Sequence, residues 1–412
     1  MTILGGARRA TCVGAACGSA AGLFWAGYLT MVGLAAERSL RQAPAPAPVP
    51  VRLSRFRILV PAHNEEGMID ATLDSLAQLD SPSDRVSIHV VADNCTDGTA
   101  VRARAHGVDV HERHHTDLPG KGAALAWLID RLPEGETDDV FVVIDADTVV
   151  SPGLLNEFER AFAPGIVAIQ GHYMVKDAHV GGHIAFRAAA LAVRHLVRPA
   201  GRTALGGSSS LYGNAMAFRE STARRYPWST NLTEDLEMSL RVMLDGHVIG
   251  YAPRAVVEAE MPDSLEGAVS QNERWEAGRL KVAIHYVPLL LRAARRGAHG
   301  RRWTYVDAAI DISLPPLTTV VGISALGGAG MVGAARGRVR RVGVVASALA
   351  LGLQVAHVLH ALHLADAPSE VRRSLVRAPA HMVWKSRLLT RVARRDPDTW
   401  IRTSRGDREV AA

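Results

Sequence analysis

Five consecutive apolar residues, Val140-Phe141-Val142-Val143-Ile144, run straight into Asp145-Ala146-Asp147. A run this short, rich in β-branched residues and apolar on both faces, reads as a strand buried in a parallel sheet. The C-terminal ends of such strands are where an open α/β sheet binds its ligands. Two carboxylates one residue apart are costly to hold there unless a cation lies between them. One reading is a hard divalent ion, Mg2+ or Mn2+, that also takes phosphate oxygens. The other is a polar strand end, with an acid capping the turn at Ser151-Pro152. The spacing of the pair does not choose between them.

The flanking pattern places this strand in a larger α/β unit. Phe56–Val60 is a first strand and Pro61–Gly67 the loop after it, with helical spacing over Met68–Leu79. Val86–Ala92 is a second strand that ends in Asp93, and Val108–His111 a short third. Pro119-Gly120-Lys121-Gly122 opens a helix through Ile129. Beyond the acid pair come a helix (Gly153–Phe162), a strand (Ile166–Val175), a helix (Val180–Val197) and a Gly/Ser-rich loop into a strand (Gly206–Arg219). Asn231–Glu237 opens a helix to Leu244, followed by short strands at His247–Tyr251 and Ala255–Glu258. Strand and helix alternate, so the fold class is α/β, Rossmann-like, with a mostly parallel sheet and helices on both faces.

Apolar segments bracket this unit. Ala10–Ala36 carries no charge; at ~1.5 Å per residue it crosses a ~30 Å hydrocarbon layer. A cleaved signal peptide would have a shorter apolar core. More arginines follow the segment than precede it, which puts the α/β domain in the cytoplasm. Ser264–Arg296 is a long helical pattern whose later part mixes apolar and basic residues, as an interfacial helix does. Ile312–Ala335 and Val342–Ala365 are two more apolar segments, the first with a kink expected at Pro315-Pro316. Arg336, Arg338, Arg340 and Arg341 lie between them. If both segments span, this basic loop faces outward, against the usual charge bias; a re-entrant hairpin is the alternative. The chain thus divides into an anchor (1–42), an Ala/Pro linker (43–51), an α/β domain (52–263), a region with Gln271–Trp275 and an interfacial helix (264–300), two membrane helices (301–366) and a basic cytoplasmic tail (367–412). That arrangement implies a multi-pass protein of the cell membrane.

Charge and composition narrow the partners. Net charge is +6, and the arginines gather toward the chain ends, which suits a membrane surface or phosphate-bearing ligands. Aromatic residues are 5% of the chain, too few for stacking on single-stranded nucleic acid, so no nucleic-acid partner is expected. Three cysteines offer neither a disulfide framework nor a metal-binding spacing.

Each further motif has a chemical and a plain structural reading. Pro61–Glu66 presents backbone amides and Glu65 at a strand end, which suits a nucleotide or an ordinary strand-to-helix turn. Asp93 could accept the imide N–H of a uracil, or simply belong to a turn with Asp97-Gly98. Lys121 could touch a diphosphate, although Gly-Lys-Gly is too short for a Walker loop. Glu234-Asp235 could provide a general base or the acidic first turn of a helix. Gln271, Arg274 and Trp275 fall on nearly one helical face, suited to pyrophosphate and a sugar ring or to an amphipathic anchor.

In this order, the motifs resemble the inverting glycosyltransferases of family 2, especially the membrane-bound branch with cellulose, chitin, hyaluronan and poly-N-acetylglucosamine synthases. The resemblance covers roughly Arg57 to Tyr286, with a fainter echo at Trp400-Ile401-Arg402-Thr403. It implies a GT-A fold. It implies that Ala62 and Glu65 line the nucleotide, that Asp93 reads the base, and that Asp145 and Asp147 hold sugar, ribose or metal, the metal falling chiefly to Asp147. It further implies Asp235 as the base, Gln271, Arg274 and Trp275 as the family's Q-x-x-R-W, and Gly213-Asn214 as the acceptor-side loop.

The expected reaction is a single displacement on a nucleotide sugar, taken as a UDP-sugar, by a lipid-linked or growing glycan acceptor. A divalent cation, Mg2+ or Mn2+, is the expected cofactor. The polymerising relatives thread product through more membrane helices than this chain offers. Limited transfer and a processive synthase with an export partner subunit therefore both stay open. A nucleotidyltransferase would carry a glycine-rich basic loop after its first strand, where this chain has Pro61–Glu66. A non-catalytic sugar-nucleotide-binding membrane scaffold would have no need of the acid pair, Glu234-Asp235 and Gln271–Trp275 together.

Overall fold

The computed structural model describes residues 2–42, 54–135, 139–180, 182–229, 233–260 and 265–378, with residues 2–6, 180, 182–183, 265–275 and 277 described by backbone alone. The Ala/Pro linker and the Trp400–Thr403 stretch lie outside the described residues. Helix α1 (Thr2–Gln42) leads to strand β1 (Phe56–Ala62), α2 (Ile69–Ala77), β2 (Val86–Asp93), α3 (Thr99–Ala105), β3 (Asp109–Arg113), α4 (Lys121–Arg131) and β4 (Val140–Val143). Next come β5 (Thr148–Val150), α5 (Leu154–Ala161), β6 (Ile166–Val175), α6 (Gly182–Leu191), a π-helical stretch (Ala192–Val197) and α7 (Arg198–Ala204). The domain closes with β7 (Met216–Arg219), α8 (Glu220–Arg225), α9 (Glu234–Leu244) and β8 (Val248–Ala259). The rest is helical: α10 (Leu265–Arg296), α11 (Arg302–Ser313), α12 (Leu317–Ala334), α13 (Gly337–Leu364) and α14 (Ser369–Ser374).

The strands form one sheet in the order β3-β2-β1-β4-β7-β6-β8-β5. The β3-β2-β1-β4 half is parallel, β7 runs antiparallel to β4 and β6, and β6 and β8 are parallel to each other. The apolar run from Val140 to Ile144 is wholly buried because both sheet faces are covered. Phe141 and Val143 meet Leu125 and Leu128 of α4 on one face. Val140, Val142 and Ile144 meet Ile69 and Leu73 of α2 and Leu154 and Phe158 of α5 on the other. Each such side chain contributes roughly 1.5–3 kcal/mol on burial.

The main difference from the sequence reading lies directly after the acid pair. The chain leaves the sheet centre at β4, passes through Asp145-Ala146-Asp147, and re-enters at the far edge as β5, antiparallel to β8. The pair therefore bridges two separated strands. The two short strands expected around Pro253 are one strand, β8, with a register shift opposite Gly171 and His172. The helix expected over Val180–Val197 is divided by the π-helical turn.

Three helices, α1 over Ala7–Gln42, α12 and α13, are long and apolar enough to cross a membrane. They meet through small residues: a β-carbon at Gly22 would lie 2.2 Å from Ser324 Oγ, and one at Gly327 would lie 2.7 Å from the Ser19 amide nitrogen. Such close backbone approach is how helices associate where apolar burial gives no drive. Ser347 donates to Ser19 (2.9 Å) and Gln354 to Ser324 (3.0 Å). Arg8 donates to the Ala334 carbonyl (3.0 Å), and His360 meets Glu37 (3.1 Å). The N-terminal end of α1 thus lies at the α12–α13 turn and its C-terminal end at the domain. Pro315-Pro316 does not kink a continuous segment; it separates α11 from α12, since proline removes amide donors and disfavours helix in the preceding residue. The expected basic loop is only Ala335-Arg336, and Arg338, Arg340 and Arg341 belong to the start of α13.

A buried ionic network ties these helices to the domain. Arg202 of α7 donates to Asp307 (2.8 Å) and Asp311 (2.9 Å) of α11 and to Ser210 (3.2 Å), and Tyr28 of α1 donates to Asp307 (3.0 Å). Arg198 donates to Asp311 as well (3.0 Å).

Candidate functional site

The parallel pairing of β1 with β2 and β4 sets Ala62, Asp93 and the start of the acid pair on one sheet edge. Ala62 is buried and offers only backbone. The loop after β1 is bound to the loop after β2: the Glu65 amide donates to Thr99 Oγ1 (2.9 Å), the Thr96 amide to Asn64 Oδ1 (2.7 Å) and the Gly98 amide to Glu66 (3.0 Å). Asn64 and Asn94 take φ of 54° and 51°, left-handed values that asparagine tolerates better than most residues. Asp93 is buried, and its Oδ1 accepts from Arg113 and from Asn94 (3.0 Å). Among the described residues its Oδ2 has no hydrogen bond. Arg113 escapes a linear reading because it lies twenty positions on; the β2–β3 register makes it the neighbour of Asp93.

The glycines of Gly120-Lys121-Gly122 bring the next cation into place. Gly120 has φ of 114° and ψ of 159°, a region open essentially to glycine alone. A β-carbon at Gly122 would lie 2.1 Å from the Ser229 carbonyl oxygen and 3.4 Å from Glu234 Cγ. The start of α4 can therefore press against the chain leading into α9. Lys121 Nζ then donates to Asp145 Oδ1 and to the Gly213 carbonyl. Their side chains remain 24% and 33% exposed, so a ligand can reach both.

Asn214 holds the acid pair from beneath. Its Oδ1 accepts from the Asp145 amide (3.1 Å), and its Nδ2 donates to Thr148 Oγ1 (2.7 Å). Thr148 Oγ1 donates in turn to Asp147 Oδ1 (3.2 Å). Asn214 is 1% exposed, so its side chain positions the pair rather than reaching into the site. Gln170, fully buried on β6, fixes the same loop by donating to the Asn214 carbonyl (2.8 Å) and accepting from the Tyr212 amide (2.8 Å). Thr148 and Gln170 carry no motif and are evident only from the fold.

Glu234 and Asp235 open α9 facing this group. A β-carbon at Gly213, where φ is 83°, would lie 3.5 Å from Asp235 Oδ2 and 3.7 Å from Lys121 Nζ. Asp235 Oδ1 accepts from the Leu236 amide (2.7 Å). Burial and the charge of Asp235 push Glu234 up to about 8, against the pull of Lys121. Burial also raises Asp235, opposed by the Leu236 amide, Lys121 and Arg194. Lys121 is raised despite its burial, by Asp145, Glu234 and Asp235. The structure therefore gathers Lys121, Asp145, Gly213, Asn214, Glu234 and Asp235, with Asp147 two residues beyond Asp145. Gln271, Arg274 and Trp275 lie on α10, but their side chains are outside the described residues. A β-carbon at Gly278 of that helix would lie 2.7 Å from Thr233 Cγ2, so the Gln271–Trp275 backbone runs one to two turns before a contact with the start of α9.

No cluster of three or more His, Cys, Asp or Glu side chains able to hold a metal occurs among the described residues. The acid pair nonetheless suits a hard cation that takes its other ligands from phosphate and water, because such ions need only one or two protein carboxylates.

Comparison with known proteins bears on the same region. Residues 54–278 match the family model described as Glycosyltransferase like family 2. The probable glycosyltransferase YdaM of Bacillus subtilis is 26% identical over 62% of this chain and 62% of its own length. The beta-monoglucosyldiacylglycerol synthase of Synechocystis is 27% identical over 56% and 48%, and the poly-beta-1,6-N-acetyl-D-glucosamine synthase of Staphylococcus epidermidis 24% over 55% and 55%. This chain thus spans less than two thirds of each of these relatives. The mannosyltransferase PcManGT of Pyrobaculum calidifontis, solved with GDP-Man and Mn2+, superposes with a TM-score of 0.53 at 20% identity, over 86% of this chain and 97% of that one. That likeness speaks to the fold, which is GT-A with a mixed, mostly parallel sheet and three added apolar helices. With the family model matched over more than half its length, the chain belongs to the glycosyltransferases of family 2.

Proposed function

We propose that this protein transfers a sugar, with inversion, from a UDP-sugar to a hydroxyl on a lipid-linked or growing glycan acceptor at the inner face of the cell membrane. The observation that carries the reading is Lys121, bound at once to Asp145 and to the Gly213 carbonyl, with Asp235 against the same glycine. A group for a departing diphosphate and a base for an acceptor thereby share one sheet edge. Asp93, through Oδ2, accepts the base N–H, while Ala62 and Glu65 border the nucleotide. Asp147, with Asp145, would hold Mg2+ or Mn2+, which would offset charge on the diphosphate. Asp235 takes the proton of the attacking hydroxyl; such proton transfer contributes about 10²–10⁴-fold to rate. Glu234 borders the sugar beside it. Lys121 and Arg274 steady the departing UDP, and Gln271 and Trp275 border the acceptor.

The similarity to a glucosyldiacylglycerol synthase favours a lipid acceptor; the similarity to a poly-N-acetylglucosamine synthase favours a growing glycan, made by a processive synthase, as the second reading. Purified protein in detergent with a panel of UDP-sugars, Mg2+ or Mn2+, and candidate acceptors tests the reading. UDP release that depends on acceptor supports transfer. Pyrophosphate exchange without glycoside product would instead assign a nucleotidyltransferase, and binding without turnover a scaffold.

A further inference from the structure

The C-terminal half of α1 borders a groove that the reaction as described leaves unused. It holds about 820 Å3 and is lined by Gly27, Met31 and Leu34 of α1, Leu353 of α13, and Ala204 and Leu205 at the end of α7. That volume is within the range of small-molecule sites, about 300–1,000 Å3. Met31 and Leu34 remain 38% and 60% exposed. A β-carbon at Gly27 would meet nothing within 4 Å, so packing of the chain itself does not require a glycine there. Toward the domain the lining turns polar, with Arg38, Ser39 and Gln42. None of Lys121, Asp145, Gly213, Glu234 and Asp235 lines the groove.

Charge and dimensions say what fits. Arg38 is exposed and makes neither a hydrogen bond nor an ion pair among the described residues. The neighbouring acid, Glu37, is already taken by Arg41 (2.6 Å) and His360 (3.1 Å). An unpaired guanidinium at this end of α1 suits an anionic group, and the cytoplasmic leaflet supplies anionic lipids. From Gly27 to Arg38 the helix rises about 16 Å, half of the ~30 Å hydrocarbon layer. From Arg38 to Gln42 it rises about 6 Å more, roughly the headgroup depth on one side of a bilayer. The apolar part thus matches one leaflet's chain and the polar part its headgroup. The α7 wall belongs to the catalytic domain and is pressed on α1: a β-carbon at Gly201 would lie 2.0 Å from the Val32 carbonyl oxygen. A chain in the groove touches both.

Resting on the reading that α1 crosses the membrane, we propose that this groove binds an anionic phospholipid of the cytoplasmic leaflet, its phosphate on Arg38 and one acyl chain running along α1 to Gly27. Arginine suits the phosphate, since its planar fork matches phosphate oxygens. Ser39 and Gln42 add a hydroxyl and an amide for the rest of the headgroup. The lipid is a resident and not the sugar acceptor, because the groove shares no lining residue with the sheet-edge site. It bridges α1 and α7, and so fastens the catalytic domain to the membrane helices.

The test places the full chain in nanodiscs of phosphatidylcholine with phosphatidylglycerol as the minor lipid, transfers it to detergent, and measures the lipid retained per protein by mass spectrometry. Phosphatidylglycerol enriched at least fivefold over its share of the nanodisc, reduced to within twofold in Arg38→Gln and kept in Arg38→Lys, supports the proposal. Gly27→Leu, which fills the groove, should release the lipid, whereas Gly14→Leu, also in open space, should not. Retention that mirrors the nanodisc composition in the wild type overturns the proposal, as does enrichment that Arg38→Gln or Gly27→Leu leaves intact. Should a variant fail to fold, the wild-type enrichment decides. Retained phosphatidylglycerol that carries a sugar after incubation with UDP-sugars would make it the acceptor and overturn the resident role. Failure of the chain to enter nanodiscs would sink the membrane reading, whereas entry without enrichment sinks only this inference.

Discussion

Glu234 is the residue whose charge state most directly reports the site. Burial and the neighbouring Asp235 raise its folded-state pKa to about 8, above the ~4.3 of a free glutamate. A carboxyl raised in this way stabilises the fold fully below its unfolded pKa, and that contribution is lost as pH rises through the folded value. Thermal unfolding at pH 6 and pH 9 should therefore show Glu234→Gln gaining on the wild type at the higher pH, by several degrees. Parallel curves across that range would contradict the assignment. Gly213 makes a second residue-level case. It needs φ of 83° with Asp235 and Lys121 within 4 Å of its absent β-carbon. Gly213→Ala should cost about 1–2 kcal/mol from the left-handed backbone and lower turnover by shifting the carbonyl to which Lys121 donates, readable as a fall in kcat beside a modest fall in Tm.

Among the elements, what the sequence made legible follows from physical pattern. β4 could be read because five apolar residues in a row have no place but a sheet covered on both sides. β6 and α10 were legible to within a residue, by length and periodicity. β5 was not, since three residues carry no period and its partner β8 lies more than a hundred positions on. β8 is one strand where two are expected, because an irregular pairing accommodates Pro253 between them. The same logic divides the site. Asp93, Lys121, the acid pair and Glu234-Asp235 stand at strand ends or helix starts, where a linear reading can find them. Arg113, Thr148 and Gln170 depend on register or on long-range packing. The small-residue seam between α1 and α12 gives an element-scale prediction. Gly22→Leu would drive a side chain into Ser324, and overpacking of this kind costs about 1–3 kcal/mol. It should lower the Tm in detergent, while a substitution at Gly14, where nothing lies within 4 Å, should not.

For the whole molecule, the bundle geometry sets an orientation that experiment can read. Arg8 and the Ala335-Arg336 turn lie at one end, and the domain, Glu37 and His360 at the other. If the apolar helices span, a cysteine at Arg336 in a cysteine-free background should label from outside intact cells, and one at Asp366 only after permeabilisation. Labelling of both from the same side would favour a hairpin that does not cross. The larger claim is that one sheet edge holds two separable functions, donor and metal at Asp145 and Asp147 and proton removal at Asp235. The most direct measurement is Mn2+-dependent UDP-sugar binding and transfer by the wild type, Asp147→Asn and Asp235→Asn. The account predicts that Asp147→Asn loses metal-dependent donor binding by tenfold or more. It predicts that Asp235→Asn binds donor as the wild type does while transfer falls at least a hundredfold. Transfer at the wild-type rate by Asp235→Asn, or unchanged metal-dependent binding by Asp147→Asn, would contradict it.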